Sequence, residues 1–162
     1  MTKNSLVIID YGMGNTRSIL NMIRKAGGDA TISNNIKILT DAKAIILPGV
    51  GSFDNAITKL KTLGIWEVLN RKVIDQSTPF LGICLGMQLL FESSDEGKLN
   101  GLGWLKGHVK RFNSSQKIST KKLIVPHMGW NIVKPVNFNS LYAGLENETR
   151  FYFVHTYYTD CE

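Results

Sequence analysis

One cysteine in this chain stands in a setting suited to covalent chemistry. Cys84 closes the run Pro79-Phe80-Leu81-Gly82-Ile83-Cys84 and is followed by Leu85-Gly86-Met87-Gln88. The pattern Gly82-x-Cys84-x-Gly86 has the spacing of a nucleophile elbow, where a strand turns sharply into a helix and lifts a nucleophile above the sheet edge. A Cβ at either glycine would crowd such a turn. Backbone N–H groups and the helix dipole at that point favour a thiolate. The Leu85 N–H is then the natural first donor to an oxyanion on the attacked carbonyl. A cysteine in an apolar run can also be a small buried hydrophobe. The two framing glycines favour the nucleophile.

The elements around this stretch must position it. Phe80 to Ile83 reads as a buried strand, and Met87 to Phe91 as the opening of a helix. Upstream, Leu6 to Asp10 is a buried strand and Tyr11-Gly12-Met13-Gly14-Asn15 a glycine loop. A helix follows with Ile19, Leu20, Ile23 and Ala26 on one face, stopped by Gly27-Gly28. Gly12-x-Gly14 lacks the third glycine of a dinucleotide fingerprint and carries little weight. Ala30 to Ile32 and Ala44 to Leu47 are further strands. This repeating βαβ pattern implies an α/β fold, an open parallel sheet with helices on both faces. Pro48-Gly49-Val50-Gly51-Ser52-Phe53 follows the third strand directly. Ligands bind at that end of parallel strands, and a glycine-rich turn can aim amides at an anion. An ordinary strand-to-helix turn also favours glycine. One helix carrying Ile57, Leu60, Ile65 and Leu69 leads to the elbow strand. An anion-cradling loop and an elbow cysteine on neighbouring strand ends are what acyl transfer needs.

Bulk properties narrow the class. A chain of 162 residues, 43% hydrophobic and 20% charged, supports one globular domain over 1–162. Two cysteines, Cys84 and Cys161, make no disulfide framework, so a reducing compartment and a cytoplasmic location are expected. Met1 to Asn4 leads only to the short apolar run Leu6 to Ile9, too brief for a signal peptide or a membrane span. The net charge of +6 is uneven: no Asp or Glu occurs between Glu96 and Glu146, while Lys98, Lys106, Lys110, Arg111, Lys117, Lys121, Lys122 and Lys134 do. The interval is either a solvated loop, as Asn113 to Thr120 suggests, or a face for an acidic partner or a phosphorylated substrate. No aromatic interleaving accompanies the lysines, which argues against nucleic acid. Trp104 to Phe112 reads as a strand with a lysine face, and Ile124, Val125 and Ile132 as a small sheet extension in the C-terminal half. Trp130 beside His127 suits an interface anchor or the core. His155 closes the apolar strand Phe151 to Val154, where a histidine is more often a satisfied structural group than a base.

Taken together, Asp10 to Asn15, Pro48 to Gly51 and Gly82 to Gln88 resemble the class I glutamine amidotransferases. Gly101-Leu102-Gly103, Pro126 to Asn131 and Phe151 to Tyr158 narrow the likeness to the glutaminase subunit of imidazole glycerol phosphate synthase. The resemblance runs from residue 5 to about residue 158, and the six motifs in this order are highly specific. It implies that Cys84 attacks the side-chain amide of L-glutamine, giving a glutamyl thioester and ammonia. Val50 and Leu85 match the backbone oxyanion donors. Gly49, Gly51, Gln88, Glu96, Thr156 and Tyr157 match positions that bind glutamine. Pro126, His127, Met128, Gly129, Trp130 and Asn131 match the surface that docks on a cyclase (β/α)8 barrel in a heterodimer, which receives the ammonia. No cofactor or metal is implied.

The chain departs from the family in one respect. Class I glutaminases complete the site with a histidine and a glutamate in a Gln-Phe-His-Pro-Glu stretch, and none precedes Asp160-Cys161-Glu162. Without a base, a cysteine at neutral pH is only a few per cent thiolate. The expectation is therefore a subunit that lacks its C-terminal catalytic segment and is inactive as it stands. The competing expectations are a related amidotransferase of surface-polysaccharide sugar biosynthesis, an inactive docking module, and an unrelated elbow-cysteine hydrolase.

Overall fold

A computed structural model describes residues 6–113, 117–118, 121–136, 140–145 and 149–161. The lead Met1 to Asn4, Glu146, Glu162 and much of Asn113 to Thr120 lie outside the described residues. The chain divides into two compact units, Met1–Lys110 with Thr159–Glu162, and Arg111–Tyr158. In chain order the first unit contributes β1 (Leu6–Ile9), α1 (Thr16–Lys25), β2 (Thr31–Ser33), α2 (Ile36–Asp41) and β3 (Ala44–Gly49). These are followed by α3 (Phe53–Thr62), α4 (Ile65–Asn70), a wide helical turn Arg71–Asp75, β4 (Phe80–Cys84) and α5 (Leu85–Gln88). Beyond them come β5 (Ser93–Ser94), β6 (Gly107–Arg111), β7 (Lys117–Ile118), β8 (Lys121–Lys122), β9 (His127–Ile132), β10 (Arg150–His155) and β11 (Tyr157–Cys161).

The expected open parallel sheet is present, with strand order β2-β1-β3-β4 and every pairing parallel. Side chains alternate across its strands, and both faces are covered, which parallel sheets require. On one face Ile19, Leu20 and Ile23 of α1 pack against Ile8 and Ile46. On the other, Leu39, Ile57, Leu60, Ile65 and Leu69 pack against Val7, Ile9, Ile45 and Leu47. Residues such as Leu60 and Leu69 are fully removed from water, each worth about 2 kcal/mol of apolar burial. A second sheet has order β11-β6-β5, with β5 and β6 parallel.

Several elements differ from the sequence reading. The single helix expected through Ile57 and Leu69 is two, because Gly64 sits at φ 66° and turns the chain between α3 and α4. Helix α2 was not legible: six residues hold too little periodicity, and its start is set by Asn35, whose side chain accepts the Lys37 and Ile38 amides. The helix after the elbow begins at Leu85 rather than Met87 and ends at Gln88. Its continuation is stopped because the carbonyls of Leu89, Leu90, Phe91 and Glu92 accept instead from the amides of Gly101 to Leu105. That same loop shortens the strand expected over Trp104 to Phe112 to Gly107–Arg111. Within Asn113 to Thr120, read as a loop, Lys117–Ile118 pairs antiparallel with Lys121–Lys122. Ile132 joins a strand, whereas Ile124 and Val125 do not.

The second unit contains the antiparallel ribbon of β9 and β10, with Trp130 opposite Tyr152 and Met128 opposite Val154. No helix among the described residues is long and apolar enough to cross a membrane.

The elbow's packing predicts a sharp ranking of glycine substitutions. A Cβ on Gly86 would lie 1.9 Å from the Leu47 carbonyl oxygen, which is backbone and cannot swing aside. At Gly64 a Cβ would meet nothing within 4 Å, so only its left-handed φ is strained. Gly86→Ala is expected to cost about 3 kcal/mol or more in urea unfolding, and Gly64→Ala about 1 kcal/mol. Equal losses would show that the elbow is not closely packed on β3.

Candidate active site

The site begins with the parallel pairing of β3 and β4. Their register sets Leu47 against Gly82, Pro48 against Ile83 and Gly49 against Cys84. Val50 and Gly51 therefore leave the sheet immediately beside the cysteine. Cys84 has φ 55° and ψ −117°, a region that residues with side chains rarely adopt, and it is exposed. This is the strained conformation of a nucleophile elbow, and costs of about 1–3 kcal/mol are typical of it. Leu85 and Gly86 are buried at the start of α5. The two glycines make the turn possible, since a Cβ on Gly82 would stand 2.6 Å from the Gly86 carbonyl oxygen.

Tyr11 supports the turn from below, a contact absent from the sequence reading. Its ring is 2% exposed, and its hydroxyl donates to the Pro48 carbonyl at 2.8 Å. A Cβ on Gly49 would lie 2.9 Å from the Tyr11 hydroxyl oxygen. Burial first, and then the charge of Cys84, push the Tyr11 phenol above its ordinary pKa. The hydroxyl thus remains a neutral donor and fixes the peptide that leads into Val50.

Two carboxylates tie the opposite side of the glycine loop. Glu96 accepts the Phe53 amide at 3.0 Å, satisfying an otherwise orphan N–H in the first turn of α3. Asp54, one residue further, accepts the Lys98 amide at 2.9 Å and the Leu99 amide at 3.0 Å. Glu96 is itself held by its amide, which donates to Ser94 Oγ at 3.1 Å. Loop 94–99 and the start of α3 are laced together in both directions. A helix-start acid is the signal that could have identified Asp54; nothing local points to its partners, which are 44 and 45 residues away.

Of the residues singled out by sequence, Cys84, Val50, Leu85, Gly49, Gly51, Gln88 and Glu96 belong to the first unit, where Gln88 is buried on α5. Val50 is exposed. Thr156 and Tyr157 belong to the second unit with Pro126 to Asn131. There the Thr156 carbonyl accepts the Phe112 amide, and the Tyr157 carbonyl accepts from His155 Nδ1 at 2.8 Å. That carbonyl can only accept, so Nδ1 of His155 carries a proton. In the neutral ring Nε2 then accepts from His127 Nδ1 at 2.8 Å, and His127 Nε2 accepts from Asn131 at 3.1 Å. His108 Nδ1 meets Ser93 Oγ and its Nε2 meets Asp95, each at 2.7 Å. Every ring nitrogen of the three histidines has a partner, and none of those partners is Cys84. His155 is accordingly a satisfied structural group. Trp130, which sequence left open between interface and core, is 70% exposed and meets Tyr152 edge-on at 5.6 Å.

An open parallel sheet carrying an elbow cysteine beside a glycine loop defines the class. A family profile described as glutamine amidotransferase class-I matches residues 7–162, and the chain belongs to that family of enzymes. Within it, the chain is 52% identical over 157 residues to the protein named imidazole glycerol phosphate synthase subunit HisH 2 of Methanococcus maripaludis, covering 97% of this chain and 75% of that one. It is also 43% identical to the HisH subunit of Bdellovibrio bacteriovorus and 44% identical to that of Leptospira interrogans, each over 96% of this chain and 75% of the relative. Nothing in these names favours the surface-polysaccharide alternative. A solved structure titled crystal structure of glutamine amidotransferase shares the fold, with a TM-score of 0.61 at 18% identity over 93% of this chain and 70% of that one.

The Asp54 clasp has a pH signature. The Lys98 hydrogen bond first, and the Leu99 bond second, hold its carboxyl below the usual carboxylate value. A lowered folded-state pKa stabilises the fold above the ordinary Asp range, and that contribution is lost as pH falls through the lowered value. Asp54→Asn is therefore expected to unfold at lower urea than the parent near neutral pH. The gap should narrow as pH falls through and below the ordinary Asp range. A gap that stays constant across that range would remove the carboxylate from the clasp.

Proposed function

We propose that this chain is the glutamine-hydrolysing subunit of an imidazole glycerol phosphate synthase, acting in histidine biosynthesis. The observation that carries the reading is the β3–β4 register, which pairs Gly49 with Cys84 and sets the Val50 loop beside the elbow in a relative of HisH subunits. Cys84 Sγ bonds to the amide carbon of glutamine, and the carbonyl oxygen takes up the negative charge. The amides of Val50 and Leu85 donate to that oxyanion. Collapse breaks the C–N bond, ammonia leaves with an added proton, and water hydrolyses the thioester to glutamate. Gly49, Gly51, Gln88 and Glu96 of the first unit hold the substrate. No cofactor takes part.

The proton for the leaving amine must come from an acid. All three histidines of the chain spend both ring nitrogens on other partners. In a nucleophile–base unit, losing one member removes most of the catalysis. The 162-residue chain is therefore expected to capture a substrate-like electrophile without turning over glutamine. An electrophilic glutamine analogue should modify Cys84 and spare Cys161 on peptide mapping, while glutamate release stays far below the roughly 1 s⁻¹ lower end of ordinary turnover. Equal labelling of both cysteines would overturn the elbow assignment. Turnover within the ordinary range that is lost in His155→Ala would make His155 the base.

The partner in this reading is a cyclase barrel, and the docking surface is the ribbon carrying Pro126 to Asn131. Met128, Trp130 and Ile132 on β9 and Tyr152 and Val154 on β10 are exposed together on one face. Central aromatic anchors dominate such interfaces. Trp130→Ala is expected to weaken binding to the barrel subunit of the same organism by about 2 kcal/mol or more in a calorimetric titration. Unchanged affinity would move the docking surface elsewhere.

A further inference from the structure

The first unit holds a second constellation that the glutaminase reading does not use. Ser93 on β5 is the register partner of His108 on β6. Ser93 Oγ lies 2.7 Å from His108 Nδ1, and His108 Nε2 lies 2.7 Å from Asp95 Oδ1. An ionised carboxylate only accepts, so Nε2 carries a proton, and in the neutral ring Nδ1 presents a lone pair. Ser93 must then donate its hydroxyl proton to Nδ1. This is the tautomer in which a histidine can act as base toward a serine, oriented by an acid on its far side. Asp95 is fixed in turn, its amide donating to the Val109 carbonyl at 2.8 Å.

Ser93 and His108 open onto a cavity of about 400 Å³, which Glu92, Lys110, Asp160 and Cys161 also line. That is within the range of small-molecule sites. Lys110 pairs with Asp160, which leaves the Glu92 carboxylate on the wall and disfavours an anionic ligand.

We propose that Ser93, His108 and Asp95 form a second nucleophilic site, directed at short, uncharged carboxylic esters. Ser93 Oγ bonds to the ester carbonyl carbon while its proton passes to His108 Nδ1. The tetrahedral adduct collapses, the C–O bond to the alcohol breaks, and the departing oxygen takes the proton from His108. Water, deprotonated by the same nitrogen, attacks the acyl-serine, releases the carboxylic acid and restores Ser93. Ester and water become acid and alcohol, with no other reactant. Cys84 is not involved.

The test uses the whole chain and an alkyl fluorophosphonate, which bonds through phosphorus to an activated serine with loss of fluoride. Peptide mapping is expected to place the adduct on Ser93. His108→Gln should slow its formation about a hundredfold, a loss typical of removing a general base. Asp95→Asn supplies the same comparison should the His108 variant fail to fold, as judged by circular dichroism. The proposal is overturned by no adduct on Ser93 in the parent chain, by labelling spread equally over other serines such as Ser52, or by an unchanged rate in a folded variant.

Discussion

The contact on which the rest of the site depends is the approach of Gly86 to β3. With no Cβ, the backbone at the start of α5 sits against the Leu47 carbonyl, closer than any side chain would allow. That approach forces the chain to turn within a single residue after β4, and Cys84 takes up the turn at φ 55°. The strain is held because the residues beyond it are buried: Leu85 is 2% exposed and Leu89 is inaccessible to water. Burying two leucines contributes about 3–6 kcal/mol, more than the 1–3 kcal/mol such a conformation costs. The Cys84 thiol is thus presented to solvent by a backbone fixed from underneath.

The second constraint is the way polar groups are spent. The Val50 loop is bounded by Tyr11 on one side and by the Glu96 and Asp54 carboxylates on the other. Tyr11 and Glu96 satisfy backbone groups at the strand end and the helix start, and Asp54 takes two amides of the neighbouring loop. The loop can therefore leave its own amides unspent at the strand end. The histidines illustrate the opposite case. Two of them hydrogen-bond to one another and one to Ser93 and Asp95, so their acid–base capacity is committed locally.

The ribbon of the second unit divides its residues by face. His127, His155, Phe153 and Phe112 form a cluster of ring contacts, with His127 and Phe153 centroids 5.3 Å apart and Phe112 and His155 centroids 5.2 Å apart. The opposite face shows Met128, Trp130, Tyr152 and Val154 to solvent. One strand period thus supplies a polar-and-aromatic inner side and an apolar outer side from adjacent residues.

The sequence by itself determined the sheet, the elbow and the glycine loop, because these rest on local patterns. Apolar runs of strand length, glycines two residues from Cys84 and the Pro48-Gly49-Val50-Gly51 turn can be read within a few positions of each residue. It also determined the family, through six short motifs in a fixed order. Only the tertiary structure decided what depends on distant partners. Asp54 and Glu96 reach across 44 and 43 residues, and Tyr11 reaches Pro48 across 37. Helix α5 ends where it does because a loop from Gly101 to Leu105 takes its next carbonyls. His108 joins Ser93 and Asp95 only through the pairing of β5 with β6. Hydrogen bonds between residues far apart in sequence leave no periodicity behind, so the fold must form before they can be seen.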